Sequence, residues 1–232
     1  MARTPMIRSV FSRKAVPTIA CINKAKMDIG VNFDRLVKTL QTFVDDCFAP
    51  VWGTPAKIVK ATKPRHGDWT LAFFDSPDAP QVQGYHDLTH HGLPLGKVFI
   101  KPTLENDDKV STTACHEVCE VLVDPGCNLW AIGRRGLVWG YEVCDAVEEE
   151  EFLLDGVYMS DFVYPAYFEA FRKPRSTQFD YLNKVTRPFQ LLKGGYGEVR
   201  HTRRDKNVNF GSVAKARRFK KEDRRYHRTT YR

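Results

Sequence analysis

Residues 111–124, STTACHEVCEVLVD, set one histidine and two glutamates into a run that is otherwise apolar, and this combination constrains the chain more than any other stretch. Three short residues (Ser111, Thr112, Thr113) offer N-cap oxygens, and no proline interrupts the run before Pro125, so the spacing predicts a helix. On a helix, His116 and Glu120 are four apart and share one face, while Glu117 lies about 100° round from His116. Val118, Val121, Leu122 and Val123 make the remaining surface apolar, which predicts a largely buried helix. Buried His and Glu side chains need partners, and a divalent cation is a good one. The layout is that of H-E-x-x-H with a glutamate in place of the second histidine. In sites of that pattern the i, i+4 pair binds zinc and the intervening glutamate acts as general base.

A three-ligand site needs one more residue, and residues 141–145 (YEVCD) are the best supplier. If they form a strand, Glu142 and Cys144 face one way and Val143 and Asp145 the other. Either carboxylate can close the site, and periodicity does not choose between them. The other can orient a ligand histidine. A site with so many carboxylates is harder than a His-rich zinc site and admits manganese or calcium as well as zinc. Cys115 and Cys119 are also i, i+4 and, with Cys127 or Cys144, suggest a thiolate site. C-x3-C on a helix is not a usual zinc spacing, however, and buried cysteine is common, so core packing is the favoured expectation.

Around this helix the pattern is α+β with a mixed or antiparallel sheet. Residues 15–22 suggest an edge or opening strand. Residues 32–48 have helical spacing with Asn32 as N-cap, closing at Ala49-Pro50. Residues 56–61, 69–75 and 97–101 suggest strands. Residues 84–87 lead into a loop that carries His86, His90 and His91, and residues 102–109 and 128–135 also read as loops. Residues 137–147 are strand-like, and four consecutive glutamates, Glu148 to Glu151, follow. GGYG at 194–197 lacks the Lys-Ser/Thr and the helix of a phosphate loop.

Composition adds two limits. With 232 residues, 42% of them hydrophobic, the chain can bury a core in one domain, and no window approaches the roughly 18 apolar residues of a membrane helix. The basic start has no apolar stretch of signal-peptide length. Six cysteines without small-secreted-protein spacing suggest free thiols in a reducing compartment. The net charge of +8 is uneven. Residues 198–232 hold thirteen Lys/Arg against four Asp/Glu, a balance of +9, and residues 1–197 hold 23 against 24, a balance of −1. The expected organisation is a basic arm (1–15), a folded domain (16–197) and a basic tail (198–232). In the tail, Arg217, Arg218, Lys220, Lys221, Arg224 and Arg225 interleave with aromatics, a composition suited to DNA or to docking on a neighbouring subunit.

The ordered string GYHDLTHHGLPLGKVFIKP, STTACHEVCEVLVDP with the following Asn128, YEVCDAVE, SDFVYPAYF and PFQLLKGGY resembles a family of proteins from tailed bacteriophages and their prophages with a zincin-like H-E-x-x-E core. The resemblance covers residues 16–197. It implies a zincin-like fold with an active-site helix over a mixed sheet, in a virion protein assembled in the bacterial cytoplasm among other virion subunits. His116, Glu117 and Glu120 match its helix motif, Glu142 and Asp145 its second motif, and His86 falls in its GYH motif. Two functions follow as expectations. One is zinc-dependent peptide hydrolysis with Glu117 as general base. The other is a non-catalytic head, neck or tail component that docks through its basic tail.

Overall fold

The computed structural model describes residues 16–78, 82–202, 206–207 and 210–211. The expected arm (1–15) and the basic residues Arg217, Arg218, Lys220, Lys221, Arg224 and Arg225 lie outside them. The architecture is mixed α+β around one main sheet of five strands, β1 (Thr18–Asn23), β2 (Lys57–Lys60), β3 (Trp69–Phe74), β4 (Gly84–Leu88) and β5 (Pro94–Phe99), in the order β2-β1-β3-β5-β4. β1 pairs in parallel with β2 and β3, and β3 in parallel with β5. β4 alone runs antiparallel, at the edge beside β5.

β1 is the opening strand, one of the two expectations for residues 15–22, and not an edge strand. Ile19, Ala20, Cys21 and Ile22 are buried on both faces between two parallel neighbours. Pro17 stands ahead of the ladder, where its missing N–H costs nothing. The first helix, α1 (Phe33–Phe43), begins where expected, with the Asn32 side chain accepting from Arg35 N–H, and buries Leu36, Val37, Leu40 and Phe43. It does not close at Ala49-Pro50. A π-helical turn (Val44–Phe48) carries it into α2 (Ala49–Trp52), which tolerates Pro50 in its first turn and ends at Gly53 with φ 68°.

Three stretches read as loops are structured. Residues 84–88 form β4, residues 102–105 belong to α3 (Ile100–Glu105), and β6 (Trp130–Ile132) crosses the loop expected at 128–135. The strand expected at 97–101 starts earlier, at Pro94, and turns helical at Ile100. The motif helix α4 (Val110–Val123) lies against β4 and β5 on one side and against the later hairpin strand β9 (Val157–Ser160) on the other. That sandwich explains why it is buried almost all round. Its N-cap is Lys109 rather than one of the three short residues. Its C-terminal Asp124 is fully buried and accepts the N–H groups of Asn128 and Leu129 at 2.9 Å, which fixes the turn that follows.

Beyond α4, β7 (Leu137–Gly140) pairs with β6, and β8 (Glu151–Leu154) makes a hairpin with β9 through Asp155-Gly156, both at positive φ. The boundary expected at 197 falls inside the fold. β10 (Tyr196–Gly197) pairs with β13 (Phe210–Gly211), and β11 (Val199–His201) pairs with β7 and with β12 (Lys206–Asn207). Val199 is fully buried there, so this first part of the basic tail is sheet. No helix among the described residues is long and apolar enough to cross a membrane.

A carboxyl pair closes the other end of the core. Asp161 accepts from Phe162 and Leu182 N–H, and Asp180 from Lys184 and Val185 N–H, while the two acids hydrogen-bond each other. Burial, reinforced by Asp180, pushes Asp161 from its ordinary 3.8 up to about 8. The folded state therefore holds a proton that the unfolded chain releases, and the stability it contributes is lost as pH rises through 8. Wild-type protein should lose on the order of 2 kcal/mol in urea denaturation between pH 6 and pH 8, at about 1.36 kcal/mol per pH unit. Asp161→Asn, which keeps a donor but not the titration, should lose distinctly less.

Candidate metal centre

Three parts of the chain converge beside α4. The helix contributes His116, Glu117 and Glu120. β4 contributes His86, whose side chain is 3% exposed. The turn after β7 contributes Glu142, Asp145 and Glu148. That turn departs from the strand expected over 137–147. The strand ends at Gly140, the chain bends, and a 3-10 turn runs over Asp145–Val147. Glu142 and Asp145 are therefore not held to opposite faces, and both reach α4.

Glu120 is the hub. Its Oε1 stands 3.1 Å from His116 Nε2, and its Oε2 stands 3.2 Å from His86 Nδ1. His116 Nε2 is also 3.3 Å from Asp145 Oδ1, and its Nδ1 is 3.2 Å from Glu148 Oε2. His86 Nε2 is 3.8 Å from Glu142 Oε2. The ligand atoms of His116, Glu120 and Asp145 lie within 4.8 Å of one another, and so do those of His86, Glu120 and Glu142. Both groups can hold a metal ion. Glu142 and Asp145, left as alternatives in the sequence, each stand in one of the two groups. His86 sits on a strand rather than in a loop, while His90 and His91 are exposed at the following turn.

Electrostatics ties the groups together. Burial works against a charge on His116, but Glu120, the Cys144 thiol, Glu148 and Asp145 outweigh it and raise the imidazole well above its ordinary range. Burial likewise works against ionised Glu120, yet the two histidines hold it well below the usual carboxylate range. Asp145 is pushed up to about 7 by burial and by the neighbouring Glu120 charge. The imidazolium of His116 thus does what a cation between these groups would do. A metal would take over that role and leave the histidine neutral, as a ligand must be.

Glu117 has a different setting. It is buried but belongs to neither ligand group. A Cβ on Gly84 would come 2.4 Å from its Oε1, and one on Gly96 3.4 Å from its Cβ. Glycines on β4 and β5 therefore make the room in which its carboxyl approaches the edge strand. The cysteines follow the packing expectation. Cys115, Cys119 and Cys144 are free and buried together, and burial raises the Cys119 and Cys144 thiols, which disfavours thiolate ligation.

Glu148 is the site residue that the sequence did not single out. It opens the run of four glutamates, and these acids have individual settings. Glu150 pairs with Lys184, and Glu151 with Lys109 and Thr112 at the head of α4. The available signal was its spacing, three residues beyond Asp145 on a tight turn. GGYG also finds its place here. A Cβ on Gly195 would lie 2.3 Å from the Ala146 carbonyl oxygen, so this glycine lets the chain press against the turn that presents Asp145 and Glu148.

No protein-family model, curated protein or solved structure matches the chain. Gly195→Ala should cost about 1–3 kcal/mol, because the obstruction is backbone rather than a flexible side-chain end. It should also weaken divalent-metal retention by displacing Asp145, and dialysis followed by elemental analysis measures this.

Proposed function

We propose that this chain is a divalent-metal protein with a zincin-like core, in which an ion held by His116, Glu120 and Asp145 supports peptide or amide hydrolysis. The observation that carries this is the setting of Glu120: a buried carboxylate with an imidazole at each oxygen and further carboxylates behind both. The residues fit the group. One imidazole nitrogen and two carboxylate oxygens make a three-ligand set that leaves a position for water, as catalytic zinc sites do. Oε1 of Glu120 is buried 3.1 Å from His116 Nε2, the proximity expected of two ligands to one ion. Zinc is the first choice, and the carboxylate content keeps manganese and calcium in contention.

When bound, the ion supplies Lewis-acid polarisation and favours ionisation of water near neutral pH. The chain's own groups do the rest. Glu148 stands 3.2 Å from His116 Nδ1 and orients the ring, so that Nε2 would be the nitrogen to hold the ion. Glu117, on the same helix beside the edge strand, accepts the proton of the attacking water and passes it to the leaving amine. The phage-virion assignment rests on the ordered motifs from Gly84 to Tyr196. The six basic residues from Arg217 to Arg225 would dock on neighbouring subunits or on DNA.

One observation favours a second function, a virion component in which the metal only staples the fold. Glu117, Glu120, Glu142 and Asp145 are all more than nine-tenths buried, and the ligands come from three separate segments. The two functions part under one set of measurements. Purified protein should hold at least one divalent ion per chain by elemental analysis. Removing the ion should lower stability by about 2.7 kcal/mol relative to protein at 100-fold excess over Kd. Glu117→Gln should keep metal and fold while abolishing hydrolysis of a fluorescent casein. Absence of metal sinks both functions, and activity unchanged in Glu117→Gln removes Glu117 from the mechanism. A metal-loaded wild type that leaves casein intact selects the structural function.

A further inference from the structure

Glu120 belongs to two ligand groups at once, and it is the only residue they share. Its Oε1 lies against His116, which in turn meets Asp145, and its Oε2 lies against His86, which in turn meets Glu142. We propose that this centre holds two divalent cations bridged by the Glu120 carboxylate, one with His116 and Asp145, the other with His86 and Glu142. The inference rests on the metal site proposed above and adds to it a second ion, with His86 as a ligand rather than a support.

Three arguments lead there. The first is composition. Each group offers one imidazole nitrogen and two carboxylate oxygens, a borderline-to-hard set suited to Zn2+ or Mn2+, and the two sets are alike. A carboxylate with one oxygen in each set is the natural bridge between ions about 3.5–4 Å apart, the spacing of two-metal hydrolase sites.

The second is charge. Ligand histidines must be neutral, so His86 and His116 contribute no charge to a loaded site. Glu120, Glu142, Asp145 and Glu148 then bring four negative charges into one largely buried volume, and Glu117, as an ionised base on the same helix, adds a fifth. One dication would offset two of the five and two dications four, so the second ion lowers the cost of gathering these acids.

The third is the way the segments are placed. His86 is on β4, which pairs as a strand with β5 and not with any strand beside the turn of residues 141–148. His86 Nε2 nevertheless lies 3.8 Å from Glu142 Oε2, longer than a good hydrogen bond and suited to two atoms sharing an ion. An ion among His86, Glu120 and Glu142 would bind the edge strand to both α4 and this turn. In a two-ion site the pair can grip both the attacking and the leaving atoms of a hydrolysis, so the second ion concerns chemistry as well as cohesion.

Metal stoichiometry and magnetic coupling test the inference on the full chain. Protein equilibrated with Mn2+ and dialysed at neutral pH should retain close to two ions per chain, and its electron paramagnetic resonance spectrum should be that of an exchange-coupled pair. His86→Ala and His86→Gln should each fall to one ion and lose the coupling, and His116→Ala should do the same from the other side. Circular dichroism identifies any variant that fails to fold. One uncoupled ion per chain, unchanged in both His86 variants, overturns the second ion while leaving the single-metal centre in place. Two uncoupled ions also overturn the bridge, and no retained ion overturns both proposals.

Discussion

A carboxylate buried between two imidazoles is the interaction on which this structure turns. Glu120 sits in the C-terminal half of a helix whose other buried residues, apart from Ser111 and Glu117, are valine, leucine, alanine and cysteine. An isolated charge there would be prohibitive, and a neutral acid would waste the position. The chain answers by bringing His116 from the preceding turn of the same helix and His86 from the adjacent edge strand, one to each oxygen. Everything around α4 can be understood as what it takes to hold those three side chains in register.

The sheet supplies the register. Parallel pairing of β1, β2, β3 and β5 makes a platform whose central strands β1 and β3 are buried on both faces, and the reversed β4 brings Gly84 and His86 to the same side of the edge, facing Glu117 and Glu120 in turn. On the far side of the helix, the turn after β7 and the β8/β9 hairpin close over it, with Gly195 packed against the turn and Lys109 and Thr112 tied to Glu151. Aromatic packing among Phe43, Phe48, Phe162 and Tyr181 anchors this second half to α1. The centre is thus assembled by long-range contacts, although its densest element is one short helix.

That balance explains what the sequence reveals. Helix α4 is legible because its apolar background and the i, i+4 spacing of His116 and Glu120 are local properties. The mixed sheet is legible in outline for the same reason. β4 is not, since residues 84–88 are polar and owe their extended form to pairing with β5, which local propensity does not report. The turn at 141–148 is hidden as well. Its run LVWGYEVCDAV has strand-like residues throughout, while the contacts that hold its turn come from distant residues: Val163 and Leu192 N–H donate to the Val143 and Ala146 carbonyls, and Gly195 packs against Ala146. Hence Glu142 and Asp145 read as alternatives in sequence while the fold enlists both, and Glu148 passes unnoticed at the head of an acidic run.

The central claim is that Glu120 serves as a metal-bridging ligand rather than as a hydrogen-bonded core acid. Anomalous difference density from crystals grown with Mn2+ or Zn2+ tests it most directly. Two peaks are expected, one beside each oxygen of Glu120, with His116 and Asp145 around the first and His86 and Glu142 around the second. Clear density for Glu120 with no anomalous peak, and both histidines hydrogen-bonded directly to its oxygens, would contradict it.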